Sequence, residues 1–327
     1  MKKLSVCKSM KKLIFLSFCF CFVNAVAQKI NENASFRALQ TPSYFKFNYD
    51  NDYYANRDRD YTQGYSFTLS KPWLSKNPVN HLFFKLENTT NSYGLTLEHI
   101  GFTPDDYVSE DIQFNDRPFS AAIYLKSFKT ETHLEKKYRL TSTFSFGIIG
   151  PGAFGKEMQV GIHKLTGNKI PMGWKNQIKN DVVLSYELSF EKQLIKLKDV
   201  ASVEGFSTLQ LGSLFTNVSA GTTITVGLIN DVYKPLEEQK GFKIYAFFQP
   251  KITAIAYDAT LQGGLINKKS PYTIPTNDIE HFTAQHNFGV VLQTNGFYLE
   301  YSRVVLSKQF ETDGVSKWGG VKLGFKI

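Results

Sequence analysis

The 327-residue chain reads as an all-β protein, a transmembrane antiparallel β-barrel of about twelve strands with a short helix in an outer loop. Three observations predict this. Apolar and polar residues alternate through long segments. The polar members are mostly Ser, Thr, Gly and Asn, with few Lys or Glu. The final segment runs in this pattern to the C-terminus. Period-two patterning places one set of side chains on each face of a strand. A barrel in lipid turns the apolar set outward and fills its lumen with small polar groups. A soluble sandwich would use the same alternation with the apolar face buried, and it is the competing reading.

The first residues stand apart from this pattern. MKKLSVCKSMKK carries five lysines and no acid, LIFLSFCFCFVNAV is apolar, and Ala25-Val26-Ala27 has a small-x-small spacing. These are the parts of a secretory signal peptide, residues 1–27, cleaved before Gln28. The apolar run is shorter than the roughly 20 residues of a spanning helix. Phe18 precedes Cys19 where a lipoprotein needs a small residue. Residues 28–327 then form one barrel domain. Losing the five lysines lowers the formal charge from +9 to +4 and removes Cys7, Cys19 and Cys21. A disulfide framework and a catalytic thiol are both excluded in the mature chain. The small positive excess suits anionic lipid head groups, and nothing points to nucleic acid. A signal peptide followed by a barrel implies a bacterial outer membrane, with a monomer expected.

The elements follow in order. Phe45, Phe47 and Tyr49 alternate with Lys46, Asn48 and Asp50 in a first strand over 44–52. Tyr61, Gln63, Tyr65, Phe67 and Leu69 alternate with Thr62, Gly64, Ser66, Thr68 and Ser70 in a second over 61–71. Further strands are expected over 92–102, 118–129, 138–149, 180–194, 200–212, 217–229, 242–262, 281–294, 297–309 and 317–327. Pro250 interrupts the ninth and predicts a bulge or a split there. Thr294-Asn295-Gly296 reads as a tight periplasmic turn. The segments 72–91, 103–117, 150–179, 230–241 and 263–280 read as outer loops. Within 150–179 alternation fails. Met158, Ile162 and Leu165 recur at helical spacing, Glu157 suits a first turn, and Gly167-Asn168 marks a helix end.

Two groups of residues could carry chemistry. DNDYYANRDRD holds Asp50, Asp52, Asp58 and Asp60 with Asn51 and Asn56, between the first two strands. Hard oxygen donors in a recess suit Ca²⁺, and a solvated charged loop is the other reading. Tyr54 and Ala55 stand where a calcium-binding EF-hand needs an oxygen donor and a glycine. The second group is His163 on the expected helix, which could serve as a general base near neutral pH or as a plain surface residue. No G-x-S-x-G elbow, H-E-x-x-H pair, P-loop or G-x-G-x-x-G fingerprint occurs.

These residues resemble the LpxR-type lipid A 3′-O-deacylases of the outer membrane. Asn51-Asp52 followed by Asp60-Tyr61-Thr62-Gln63-Gly64 is similar to the family's opening motif. Phe102-Thr103-Pro104 resembles its turn after the third strand, and Asp116-Arg117-Pro118-Phe119-Ser120 its start of the fourth. Gly150-Pro151, Gly155, Glu157, Gln159, His163, Pro171, Trp174 and Gln177 follow its histidine loop, and Tyr257 with Leu261-Gln262-Gly263 recurs late. The resemblance implies a Ca²⁺-dependent esterase acting on lipid A or lipopolysaccharide among outer-membrane lipids. It makes His163 the base that activates water, Asn51 and Asp52 cation or substrate ligands, and Thr62 an orienting hydroxyl. Two positions depart from the family: Ser109-Glu110 replaces a basic pair, and Asn168-Lys169 replaces an acid after the histidine. Glu157 is the expected substitute cation ligand. Asp116-Arg117 is expected to fasten a loop base by a buried ion pair, and Trp174 to anchor at the membrane interface. A serine-dependent phospholipase or a non-catalytic barrel are the alternatives.

Overall fold

Backbone amides and carbonyls that meet lipid need partners within the protein, and strands satisfy this only when each is paired on both sides. The computed structural model of the chain describes residues 30–39, 41–52, 60–229, 231–234 and 241–327, and closes twelve antiparallel strands into one barrel. The strands are β1 (Tyr44–Asn51), β2 (Asp60–Ser70), β3 (Thr90–Thr103), β4 (Ser120–His133), β5 (Tyr138–Ile149) and β6 (Asp181–Leu197). The second half holds β7 (Ala201–Gly212), β8 (Phe215–Leu228), β9 (Lys243–Asp258), β10 (Phe282–Gln293), β11 (Phe297–Leu306) and β12 (Ser316–Lys326). β1 pairs with β12 from Tyr44↔Lys326 to Asn51↔Gly319, so the sheet has no free edge. Among the described residues no helix is long and apolar enough to cross a membrane; the strands do the crossing. The expected signal peptide, 1–27, lies outside the described residues.

All twelve expected strands are present. The ninth stops at Asp258, earlier than expected, because the Asp258 carboxylate accepts from the Thr260 amide (2.8 Å) and caps a helical turn, Ala259–Gln262. Pro250 neither splits β9 nor shifts its register: Gly221↔Lys251 and Ile224↔Phe248 keep one alignment with β8 on either side of it.

The lumen is filled by hydroxyl and amide pairs, among them Thr68–Thr96 (2.9 Å), Thr130–Thr141 (2.9 Å) and Asn287–Gln249 (2.9 Å). Phe67, Leu97, Leu125, Phe146, Leu184 and Phe248 project from the outer wall. The residues before β1 add an element that alternation does not reveal. Ile30–Leu39 enters the lumen and plugs it. Arg37 forms an ion pair with Glu300 of β11, Glu32 with Lys322 of β12, and Lys46 of β1 donates to the Arg37 carbonyl (2.7 Å). The Ser35 amide donates to Glu191 (2.9 Å). Between the plug and the far rim remains a cavity of about 140 Å³, lined by Tyr61, Glu98, Lys126, Glu187 and Lys251 among others.

Antiparallel order assigns each connection to one end. The connections after β1, β3, β5, β7, β9 and β11 share one rim; the others share the opposite rim with both termini. Most of the first set are long, as outer loops are in such barrels, and the second set is mostly short turns. This corrects two expectations. The 72–91 and 230–241 segments follow β2 and β8, so they lie at the periplasmic rim. Length suggested outer loops, but strand parity decides the side.

Replacing Arg37 by Ala strands the Glu300 carboxylate, which has no exposed surface, inside the wall. Loss of one member of such a pair costs about 3–5 kcal/mol, whereas an apolar pair of similar volume costs far less. Urea unfolding in detergent is expected to show Arg37→Ala strongly destabilised. The double variant Arg37→Met with Glu300→Leu should stay close to the parent.

Candidate active site on the outer wall of the barrel

The site begins with an irregularity in β2. Asp60 pairs with Thr103 and Gln63 with Gly101, so two residues of β2 oppose one of β3, a bulge. Tyr61 turns into the lumen against Trp318 and Phe102, with ring centroids 4.8 and 5.4 Å away. Gly64 must lack a side chain, since a Cβ there would come 1.8 Å from the Tyr61 hydroxyl. Thr62 turns the other way, its Oγ1 2.6 Å from that of Thr103. Thr103 alternates with Glu98, Ile100 and Phe102, which line the luminal cavity, so it faces outward. Uninterrupted alternation had placed Thr62 with Gly64 and Ser66. The bulge puts it on the outer wall instead.

Asn51 ends β1 on that same outer face. Its Nδ2 donates to the Thr62 carbonyl (2.7 Å) and to the Tyr49 hydroxyl (3.2 Å), which ties the strand end to the bulge. Asp52 follows, almost fully enclosed at 1% exposure. Residues 53–59, with Asn56 and Asp58 of the acidic cluster, lie outside the described residues, as does the side chain of Asp60.

Register aligns Asn51, Gln63, Gly101 and Ala121 across β1 to β4, about 5 Å apart from strand to strand. Helix α1 (Gly155–Thr166) starts on this row. A Cβ on Gly155 would sit 2.4 Å from the Ala121 Cβ and 2.7 Å from the Trp174 ring, so only glycine allows the approach. Both ends of the loop are hydrogen-bonded to the start of β4, through Gly150 N to Ala121 O (2.8 Å) and Ile178 N to Phe119 O (2.9 Å). His99, on the outer wall, holds the Ala153 carbonyl at 2.9 Å and stacks on Tyr65.

The face that α1 buries is polar: Gly155, Gln159 and His163, spaced by four. The apolar stripe noted at Met158, Ile162 and Leu165 is a different one: Leu165 is 89% exposed, and Met158 and Ile162 are only half-buried. A helix at a lipid rim can turn its apolar face away from the protein, which inverts the usual rule. Trp174, expected as an interfacial anchor, is 1% exposed; it packs on Phe119 and donates Nε1 to Gln159 Oε1 at 2.6 Å. Glu157 points away from the buried face and is exposed.

His163 is nearly buried and oriented from two sides. Tyr107 meets it edge-on at 5.4 Å, and its Nδ1 lies 2.6 Å from the Lys169 carbonyl oxygen. A carbonyl only accepts, so Nδ1 carries the proton and Nε2 keeps a free lone pair. Gly167, with φ of +72°, makes the turn that brings Lys169 back to the ring. Main chain therefore holds the imidazole where the departure from the family's acid stands.

The other departure is also absorbed locally. Glu110 pairs with Lys175 at 2.7 Å, which lowers its pKa, and its carbonyl accepts from Asn176 (2.9 Å). With Met172 N on the Tyr107 carbonyl (3.0 Å), these contacts latch the β3–β4 loop to the helix loop. Asp116 and Arg117 fasten two different places. The Asp116 carboxylate, raised in pKa by burial, accepts from the amides of Asp105 (2.8 Å) and Arg117 (2.6 Å). The Arg117 guanidinium reaches Gln309 (2.8 Å) and lies 4.0 Å from the Phe102 ring centroid.

Asn51, Asp52 and Thr62 thus converge at the β1–β2 end, and His163 enters from α1 at the same rim. Gln159, Thr103, Tyr107 and His99 complete the surroundings; sequence reasoning gave none of them a role. Only Gln159 carried a signal, lying one helical turn before His163. Among the described residues no three His, Cys, Asp or Glu side chains form a metal cluster.

The family model for the outer-membrane protein LpxR matches residues 14–327. Among solved structures, the chain is similar to LpxR from Salmonella typhimurium, with a TM-score of 0.71 and 17% identity over 87% of this chain and 100% of that one. The β domain of the Bordetella autotransporter Brka follows with a TM-score of 0.46 and 8% identity, over 87% and 99%. No curated protein sequence matches the chain.

Gly155→Val is expected to lift α1 from Ala121 and uncover Trp174. Fluorescence should show a red-shifted, quencher-accessible Trp174, while the barrel keeps its heat-modifiable migration on gels.

Proposed function

Because the chain belongs to the LpxR family of outer-membrane proteins, we propose that it is a carboxylic-ester hydrolase that removes the ester-linked 3′ acyl or acyloxyacyl chain of lipid A. The observation that carries this reading is the oriented imidazole of His163, one ring nitrogen fixed by the Lys169 carbonyl, at the rim where Asn51 and Thr62 face outward. A lipid beside the wall would approach these residues from outside, so the substrate need not enter the lumen.

His163 Nε2 takes a proton from water, and the resulting hydroxide attacks the ester carbonyl carbon. The same imidazolium then gives its proton to the departing 3′ oxygen, releasing a fatty acid and the sugar hydroxyl. Gln159, held by Trp174, keeps α1 in register with the wall, and Tyr107 limits rotation of the ring. Thr62 offers its hydroxyl to water or substrate.

The donor set fits a hard cation. The enclosed Asp52 carboxylate and the Asn51 amide, whose nitrogen donates to the Thr62 carbonyl and the Tyr49 hydroxyl, both present oxygen donors. These two residues would hold Ca²⁺, with main-chain oxygens and water completing its shell, whereas exposed Glu157 lies on the far side of α1. Bound there, the ion would supply Lewis-acid stabilisation of the oxyanion.

The test is mass spectrometry of lipid A incubated with the purified barrel, with and without a calcium chelator. The expected product is lipid A lacking its 3′ chain, formed about 10²–10⁴-fold more slowly by His163→Ala and not at all in chelator. Intact lipid A with released lysophospholipid would instead identify a phospholipase. Unmodified lipids with Ca²⁺ present would leave a non-catalytic barrel, and equal rates of product formation for His163→Ala and the parent would remove His163 from the chemistry.

A further inference from the structure

The connection between β2 and β3 is long for a periplasmic turn, and it does not hang below the barrel. It climbs the outer wall as a strap. Two 3₁₀ turns, Pro72–Lys76 and Pro78–Leu82, pack on β3 and β4. Leu74 and Phe83 are buried, and Phe83 meets the Tyr186 ring of β6. Beneath the strap lie Ser127, Lys129 and Glu131 of β4. They alternate with Tyr124, Lys126 and Phe128, which line the luminal cavity, so they point toward lipid. A lysine and a glutamate on that face are costly unless covered. The strap covers them. Asn77 Nδ2 donates to Ser127 (3.1 Å), Lys129 pairs with Glu131 (2.6 Å) and donates to the Phe84 carbonyl (3.1 Å), and Glu131 accepts from the Leu86 amide (3.0 Å).

The opposite side of the strap has a different composition. Trp73, Leu82 and Phe84 are each more than half exposed, and Lys76, His81 and Lys85 are exposed among them, with Lys71 half-buried. Glu87 is the single acid between Lys71 and Thr89. Aromatic and leucine side chains interleaved with lysines match the boundary between acyl chains and anionic head groups. The surface continues the lipid-facing wall of Leu97, Leu125 and Phe146 toward the periplasm.

We propose that the strap is an interfacial site for anionic phospholipids of the periplasmic leaflet, in which Trp73, Leu82 and Phe84 enter the acyl boundary while Lys71, Lys76 and Lys85 bind headgroup phosphates. The site lies on the half of the wall away from the hydrolytic rim and does not depend on the hydrolase reading. It makes the β2–β3 connection a membrane-contacting element that sets the depth of the barrel and selects the lipid around it.

The three tryptophans make the test direct, because Trp174 and Trp318 are buried and Trp73 is exposed. The mature protein is reconstituted in phosphatidylcholine vesicles containing phosphatidylglycerol, with one or the other lipid brominated near its carbonyls or near its methyl ends. Tryptophan quenching is then read. Shallow bromines should quench more than deep ones, and Trp73→Phe should abolish the difference. Brominated phosphatidylglycerol should quench more than brominated phosphatidylcholine, and Lys76→Gln with Lys85→Gln should weaken that preference by about five-fold per lysine removed. No bromine-dependent quenching of Trp73 would overturn the proposal, whether water or a second copy of the chain covers the strap. Quenching without preference for the anionic lipid, or a preference untouched by the lysine substitutions, would overturn it equally.

Discussion

The structure depends on one hydrogen-bonded seam, the pairing of β1 with β12. Until Tyr44–Asn51 lies along Gly319–Lys326, both strands expose rows of amides and carbonyls that lipid cannot satisfy. Closure fixes the register of every other strand by propagation. It also sets the position of the plug, because Lys322, the partner of Glu32, is on seam strand β12, and Glu300, the partner of Arg37, is on the adjoining β11. The same seam delivers Asn51 to the rim beside the bulge of β2.

The candidate site residues lie on the outside of this cylinder. The one extra residue in β2 sends Tyr61 inward and Thr62 outward, and Gly155 lets a helix lie against the wall above Ala121. The luminal cavity does not include His163 among its lining residues. A substrate embedded in the outer leaflet reaches a wall site by lateral diffusion, whereas a luminal site would require its acyl chains to leave lipid for a polar channel. The architecture suits an amphiphile for that reason.

Both ends of the wall carry loops folded back onto it, and they use opposite logic. The helix loop buries polar Gln159 and His163 and leaves Leu165 facing away, while the strap buries an ion pair and turns Trp73 and Phe84 outward. In each case polar groups are held between protein layers and apolar ones are given to the surroundings. Amphipathic patterns that mark a core in a soluble protein therefore mark the side turned away from the barrel here.

Sequence by itself determined the twelve strands, their alternating faces and the helix ending at Gly167, because these rest on local periods and on backbone conformations that few residues adopt. The Asn51-Asp52 and His163 motifs stood out by their resemblance to the family's motifs, not by any local period. Three things were decided only by tertiary structure. The bulge that reverses Thr62 depends on how β2 matches β3 and leaves no trace in composition. The sidedness of the 72–91 and 230–241 segments follows from counting paired strands, so loop length misled. The partners of Arg37, Trp174 and Lys129 are brought to them across the barrel or its loops. Which of two faces a polar side chain occupies is settled by what closes over it, and that is a property of the assembled wall.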